Sequence, residues 1–120
     1  SPWKPAYGVY FDLTTNKQFI YFVDLNNLNG YEVANGELLN TISITKNNYI
    51  SNINKCTNTA CTPPAPISSP LSITFKRPNS SAIFTGATIT GSEYIQITVK
   101  SPGGATALIK LYPSGRVQVN

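Results

Sequence analysis

Few residues in this 120-residue sequence could do covalent or acid–base chemistry: five carboxylates (Asp12, Asp24, Glu32, Glu37 and Glu93), two cysteines (Cys56 and Cys61) and no histidine. Without an imidazole there is no Ser-His-Asp relay, no histidine-liganded zinc and no base tuned to neutral pH. A pair of close carboxylates, of the kind glycosidases use, is the one catalytic device the scattered acids leave open. The expectation is a protein without catalytic residues, working by binding or assembly.

Cys56 and Cys61 lie in KCTNTAC, where the intervening Thr57, Asn58 and Thr59 turn easily. The spacing is not that of a CxxC redox motif, and two cysteines without histidine make an incomplete zinc site. The leading reading is a short structural disulfide, which would restrict the unfolded chain by about 2 kcal/mol on the entropic model and imply an oxidising compartment. Two buried free thiols are the alternative.

Oxygen donors cluster once, in the loop Asp24, Asn26, Asn27, Asn29, Gly30, Glu32 and Glu37. Calcium takes six to eight oxygens, and Asp24, Asn26, Asn29, Glu32 and Glu37 are its candidate ligands. The order departs from an EF-hand: with Asp24 first, Leu28 stands at the fifth position and Glu37 lies two residues beyond the twelfth. An Asx-rich turn bonded to its own backbone takes precedence, so no cofactor is required.

Nine cations against five acids give a formal charge of +4, and only Lys76 and Arg77 are adjacent. That is a mild bias suited to a soluble surface, not a basic arm. Trp3, Tyr7, Tyr10, Tyr21 and Tyr49 could form an exposed aromatic patch for a sugar or protein ligand, although such residues more often cover the core of a sheet.

The elements that must position these residues are strands. A composition 41% hydrophobic and 12% charged is that of a folding chain with an uncharged polar surface, and 120 residues suit one domain with one core. Apolar residues recur with a period near two, rich in β-branched and aromatic types. Val9 to Leu13 and Phe19 to Asp24 read as a hairpin across TTNKQ, Leu38 to Thr45 as a third strand, and Tyr49 to Ile53 as a short fourth. Residues 62–70, with four prolines, form an extended connector between a first half (1–61, with the cysteine loop) and a second half (71–120). In that second half LSITFKR, SAIF, ATIT, YIQITVK, ATALIKLY and RVQV predict a β-meander. The fold class expected is mainly β, with two antiparallel sheets packed as a sandwich. No apolar run approaches a membrane span.

Two stretches resemble a known family. YGVYFDLTTNKQFIYFVDLNNLNGYEVANGELLNTISI, Tyr7 to Ile44, is similar to the start of the globular head of bacterial type IV pilin-like proteins. ITFKRPNSSAIFTGATITGSEYIQITVKSPGGATALIKLYPSGRVQV, Ile73 to Val119, resembles the C-terminal half of minor pilins and of the H-type pseudopilin of type II secretion (the GspH/FimT group). The resemblance implies a structural subunit of a pilus or pseudopilus at the bacterial envelope or cell surface. Its partners would be other pilin or pseudopilin subunits, and the membrane would be reached through an apolar N-terminal helix ahead of Ser1. Starting at Ser1 and lacking methionine, the chain is expected to be a processed or truncated form of an α+β parent. DNA-capturing minor pilins are similar at the C-terminal turn, where they carry a Gly-Arg-any-Arg tail. Here Gln118 replaces the second arginine, so contact of Lys100, Lys110 and Arg116 with DNA phosphates ranks below a structural turn with a solvated Arg116. A stand-alone secreted β-sandwich binding module, an adhesin or inhibitor, is the competing function.

Overall fold

The structure, a computed structural model, describes residues 6–24, 31, 36, 38–68, 70–76 and 81–120. Among the described residues ten strands follow in chain order: β1 (Ala6–Phe11), β2 (Gln18–Asp24), β3 (Leu38–Ser43), β4 (Tyr49–Cys56), β5 (Ala65–Pro66), β6 (Leu71–Phe75), β7 (Ala82–Thr85), β8 (Tyr94–Lys100), β9 (Thr106–Leu111) and β10 (Val117–Val119). They form two antiparallel five-stranded sheets, ordered β3-β2-β1-β6-β7 and β10-β9-β8-β4-β5. The protein is mainly β and sandwich-like, as the alternation predicts.

Period-two patterning explains how the sheets meet. Along β8, Ile95 and Ile97 are buried in the core, with Val99 packed against it. Their direct partners Ile53 on β4 and Ile109 and Leu111 on β9 lie on the same side. From the first sheet Phe11, Leu71 and Ile73 complete the cluster. Each such side chain contributes about 1.5–3 kcal/mol when fully buried. Backbone hydrogen bonds tie the sheets together at two places: Ile50 N–H donates to Asn16 O at 2.8 Å, and Ala82 N–H to Pro113 O at 2.9 Å.

Several predicted elements shift. Leu13 leaves the first strand because Asp12 accepts from Thr14 N–H at 3.0 Å and starts a single 3-10 turn, Leu13–Thr15. The third strand stops at Ser43, two residues before Thr45, since Lys46 and Asn47 both take positive φ (59° and 60°) and turn the chain toward β4. The fourth strand runs on to Cys56 because β8 pairs with it as far as Tyr94. ATIT, residues 87–90, is not a strand: it carries the chain from one sheet to the other and ends in a turn where Glu93 accepts from Thr90 N–H (2.9 Å) and Thr90 Oγ1 (3.1 Å). Within the proline connector Ala65 and Pro66 add a two-residue edge strand to β4, the position in a sheet where a missing N–H is tolerated. The C-terminal strands are also not one meander. β6 and β7 join the first sheet beside β1, whereas β8, β9 and β10 join the second beside β4, so each sheet draws on both halves of the chain.

Candidate functional site

A disulfide links Cys56, at the end of β4, to Cys61. The loop it closes is braced by Asn58, whose side chain donates to Thr62 O (2.7 Å) and accepts from Thr62 N–H (3.1 Å). Cys61 takes a left-handed φ of 54° and its N–H donates to Asn58 O at 3.0 Å. The loop covers the outer face of the second sheet. The hydroxyl of Tyr94 donates to Asn58 O at 2.6 Å, and the Lys110 ammonium donates to Thr59 O at 3.3 Å.

Alternation along β8 and β9 sets this outer face. Gln96 stands opposite Lys110, which in turn faces Gln118 on β10, so Lys110 points away from the core between two neutral amides. It is only 7% exposed, with its Nζ 5.5 Å from the centre of the Tyr94 ring. Tyr94 packs on Tyr112 at 5.1 Å. The Arg116 guanidinium lies 4.8 Å over the Tyr112 ring and donates to Gln118 Oε1 at 2.9 Å. Cation–π contact and the hydrogen bond to Gln118 hold the guanidinium in one orientation.

Thr57, Asn58, Ser92, Lys110, Tyr112 and Arg116 line the resulting pocket, whose volume is about 350 Å³. Neither cation pairs with a described carboxylate. Glu93, next to Ser92 in sequence, is turned to Thr90 and to Lys55, 3.5 Å away. Hydrogen bonds from Thr90, and less so the Lys55 charge, hold its carboxyl below the usual range. Burying an ammonium away from water is costly unless it is compensated, and among the described residues Thr59 O is the one hydrogen-bond acceptor for Lys110. The pocket thus gathers two cations with hydroxyl and amide groups, an arrangement suited to attracting an anion.

The structure brings together two of the three residues anticipated for phosphate contact. Lys110 and Arg116 converge, while Lys100 pairs with Thr106 and Tyr49 at the far end of the ladder. Thr106, opposite Lys100, stands four positions before Lys110 on β9, roughly 13 Å along the strand. In the sequence Asn58 and Thr59 read as turn residues and Tyr112 as part of a strand and turn, but nothing there places them or Tyr94 beside the two cations. The parity of Tyr94 and Lys110 on their strands was the available signal.

Of the anticipated calcium ligands, Asp24 ends β2 fully buried; Asn26, Asn29, Glu32 and Glu37 lie outside the described residues. Among the described residues no three His, Cys, Asp or Glu side chains gather. The aromatics do not form one patch. Tyr7 stacks on Tyr21 at 5.9 Å and Tyr10 packs on Tyr31 at 4.9 Å, Tyr49 belongs to the other sheet, and Trp3 lies outside the described residues. Burial, then the charge of Asp12, raises the Tyr10 hydroxyl above its ordinary pKa.

A second feature lies between the sheets. Val9, Phe19, Phe75, Val99, Ile109 and Val117 are among the exclusively apolar residues around a cleft of about 410 Å³. At its rim β10 leaves Val117 51% exposed. No helix among the described residues is long and apolar enough to cross a membrane. No protein-family model matches the chain, and neither a curated protein nor a solved structure is similar to it.

Proposed function

We propose that this chain is a non-enzymatic structural subunit, the globular head of a minor type IV pilin or H-type pseudopilin, working through filament assembly and surface contact at the bacterial envelope. The observation that carries this reading is the apolar cleft of about 410 Å³ between the sheets. An open seam lined only by hydrocarbon gains roughly 25 cal/mol for each Å² covered, and a filament subunit supplies such a cover as the apolar helix that precedes its head. The disulfide and the low charge suit a head held outside the cell.

The test is the complete polypeptide expressed in its native host with a C-terminal tag. It should be recovered in the sheared surface-filament fraction, cut at its N-terminus ahead of an apolar helix. Val117→Lys, at the rim of the cleft, should lower recovery in filaments without lowering the melting temperature of the head. A secreted monomer whose signal peptide leads directly into Ser1 would refute the proposal. That result belongs to the second reading, a stand-alone binding module, which the pocket of Lys110 and Arg116 favours.

A further inference from the structure

We propose that the pocket under the disulfide loop is a binding site for an acidic saccharide, a sugar ring bearing a carboxylate or sulfate group. The inference does not depend on filament assembly and holds for either reading above. It starts from charge. Lys110 and Arg116 enter one pocket of about 350 Å³, neither is neutralised by a described carboxylate, and the Lys110 ammonium is held under the loop by a single backbone carbonyl. Beyond that carbonyl and the Tyr94 ring, no described carboxylate compensates the charge, and a charge-assisted bond to an anion is about twice as strong as a neutral one.

The depth of Lys110 selects the form of the anion. At 7% exposure it cannot meet a phosphate on the outside of a duplex, which needs cations spread over the surface. An anionic group that projects from its carrier can enter. The pocket is larger than an inorganic oxyanion requires, and Thr57, Asn58 and Ser92 line the remaining space with uncharged hydroxyl and amide groups. These groups suit the hydroxyls of a sugar. The site is also fixed before a ligand arrives: the disulfide closes the loop, Asn58 braces it, and Tyr112 and Gln118 hold Arg116. Preorganisation of this kind lowers the ordering cost of binding.

Isothermal titration of the protein at low salt decides the matter, with five probes: an oligogalacturonate, a heparin tetrasaccharide, a neutral oligosaccharide of equal length, sodium sulfate and a duplex DNA. One or both acidic oligosaccharides should bind, the neutral one should not, and Arg116→Gln should weaken binding by about tenfold or more. Lys110→Met, which keeps the buried stem and removes the charge, should do the same. Arg116 is exposed on a turn, so Arg116→Gln reports on binding even if the Lys110 variant fails to fold. Shifts of the Tyr94 and Tyr112 ring resonances on titration should locate the ligand. Unchanged affinity in Arg116→Gln, binding of sulfate but of neither saccharide, binding of duplex DNA alone, or no binding by any probe would each overturn the proposal.

Discussion

Gly8 stands in the middle of β1, where a glycine weakens a strand unless something needs the space. Its partners show what does. A Cβ built at Gly8 would lie 2.5 Å from Ile73 O and 2.6 Å from the Phe22 ring. Neither neighbour can withdraw cheaply: Ile73 belongs to the β1 to β6 ladder, and Phe22, directly opposite Gly8 on β2, is fully buried. Gly8→Ala should therefore overpack the sheet at about 1–3 kcal/mol, offset by roughly 0.5–1 kcal/mol from the stiffer unfolded chain. Given two inflexible contacts, the net loss should be about 2 kcal/mol. Urea unfolding followed by circular dichroism reads it directly, and the melting temperature should fall by roughly 4 °C per kcal/mol. Phe22→Leu removes one of the two contacts, so Gly8→Ala should cost about 1 kcal/mol less in that background. The remainder, set against the Ile73 carbonyl, should persist. A Gly8→Ala protein within about 0.5 kcal/mol of the parent would refute the reasoning, because the sheet would then have room that its geometry denies.

Four further outcomes follow from particular contacts. Replacing Cys56 and Cys61 by serine should destabilise the fold by about 2 kcal/mol and shift the Tyr94 ring resonances, since the loop carbonyls that hold Tyr94 and Lys110 are released; unchanged resonances would show that the loop is held without the bridge. The carboxyl of Glu93 titrates below its ordinary value in the fold, so its contribution to stability is present above the unfolded carboxylate pKa of about 4.3 and is lost as pH falls through the folded one; Glu93→Gln should flatten the acid limb of a plot of melting temperature against pH. Tyr10 has the opposite sense: its raised hydroxyl contributes stability below pH ~10 that is lost as pH rises through the folded value, and Tyr10→Phe should remove that alkaline loss. Into the apolar cleft, Val99→Ile adds one methylene and should stabilise by about 0.8 kcal/mol, with a fall in melting temperature marking the cleft as already filled.

Local alternation made most strands legible. In YIQITVK Ile95, Ile97 and Val99 alternate with polar-tipped residues, in ATALIKLY Ile109 and Leu111 flank Lys110, and turns containing glycine or proline separate the two strands. ATIT alternates just as well and still forms no strand, because partner availability decides whether an extended segment joins a ladder. Pairings such as β1 with β6 and β4 with β8 join residues far apart in sequence, and alternation carries no information about which distant strand is the partner. The candidate site was hidden for the same reason. Lys110 and Arg116 stood out by charge, but the carbonyl that meets Lys110 comes from Thr59, 51 positions earlier. Only the stacking of the cysteine loop over β8 and β9 turns two scattered cations into a pocket.

The cleft and the pocket are opposite faces of the same strands. On β9, Ile109 and Leu111 line the apolar cleft, while Lys110 between them lines the cationic pocket. A strand's side chains alternate strictly, so a register slip of one residue would drive the ammonium into hydrocarbon and push two large apolar residues toward solvent. That penalty fixes the register of β9 against β8 and β10, and it lets one small sheet present two unlike surfaces. The separation also has a thermodynamic consequence. The side chains of Arg116 and Gln118 line the pocket and not the cleft that Val99 and Val117 line, so changes to them should alter anion binding and leave the effect of Val99→Ile unchanged, as expected for side chains that share no partner. Coupling above about 0.5 kcal/mol between Arg116→Gln and Val99→Ile would mean that the sheet transmits strain from one face to the other, and the two surfaces would then have to be treated as a single site.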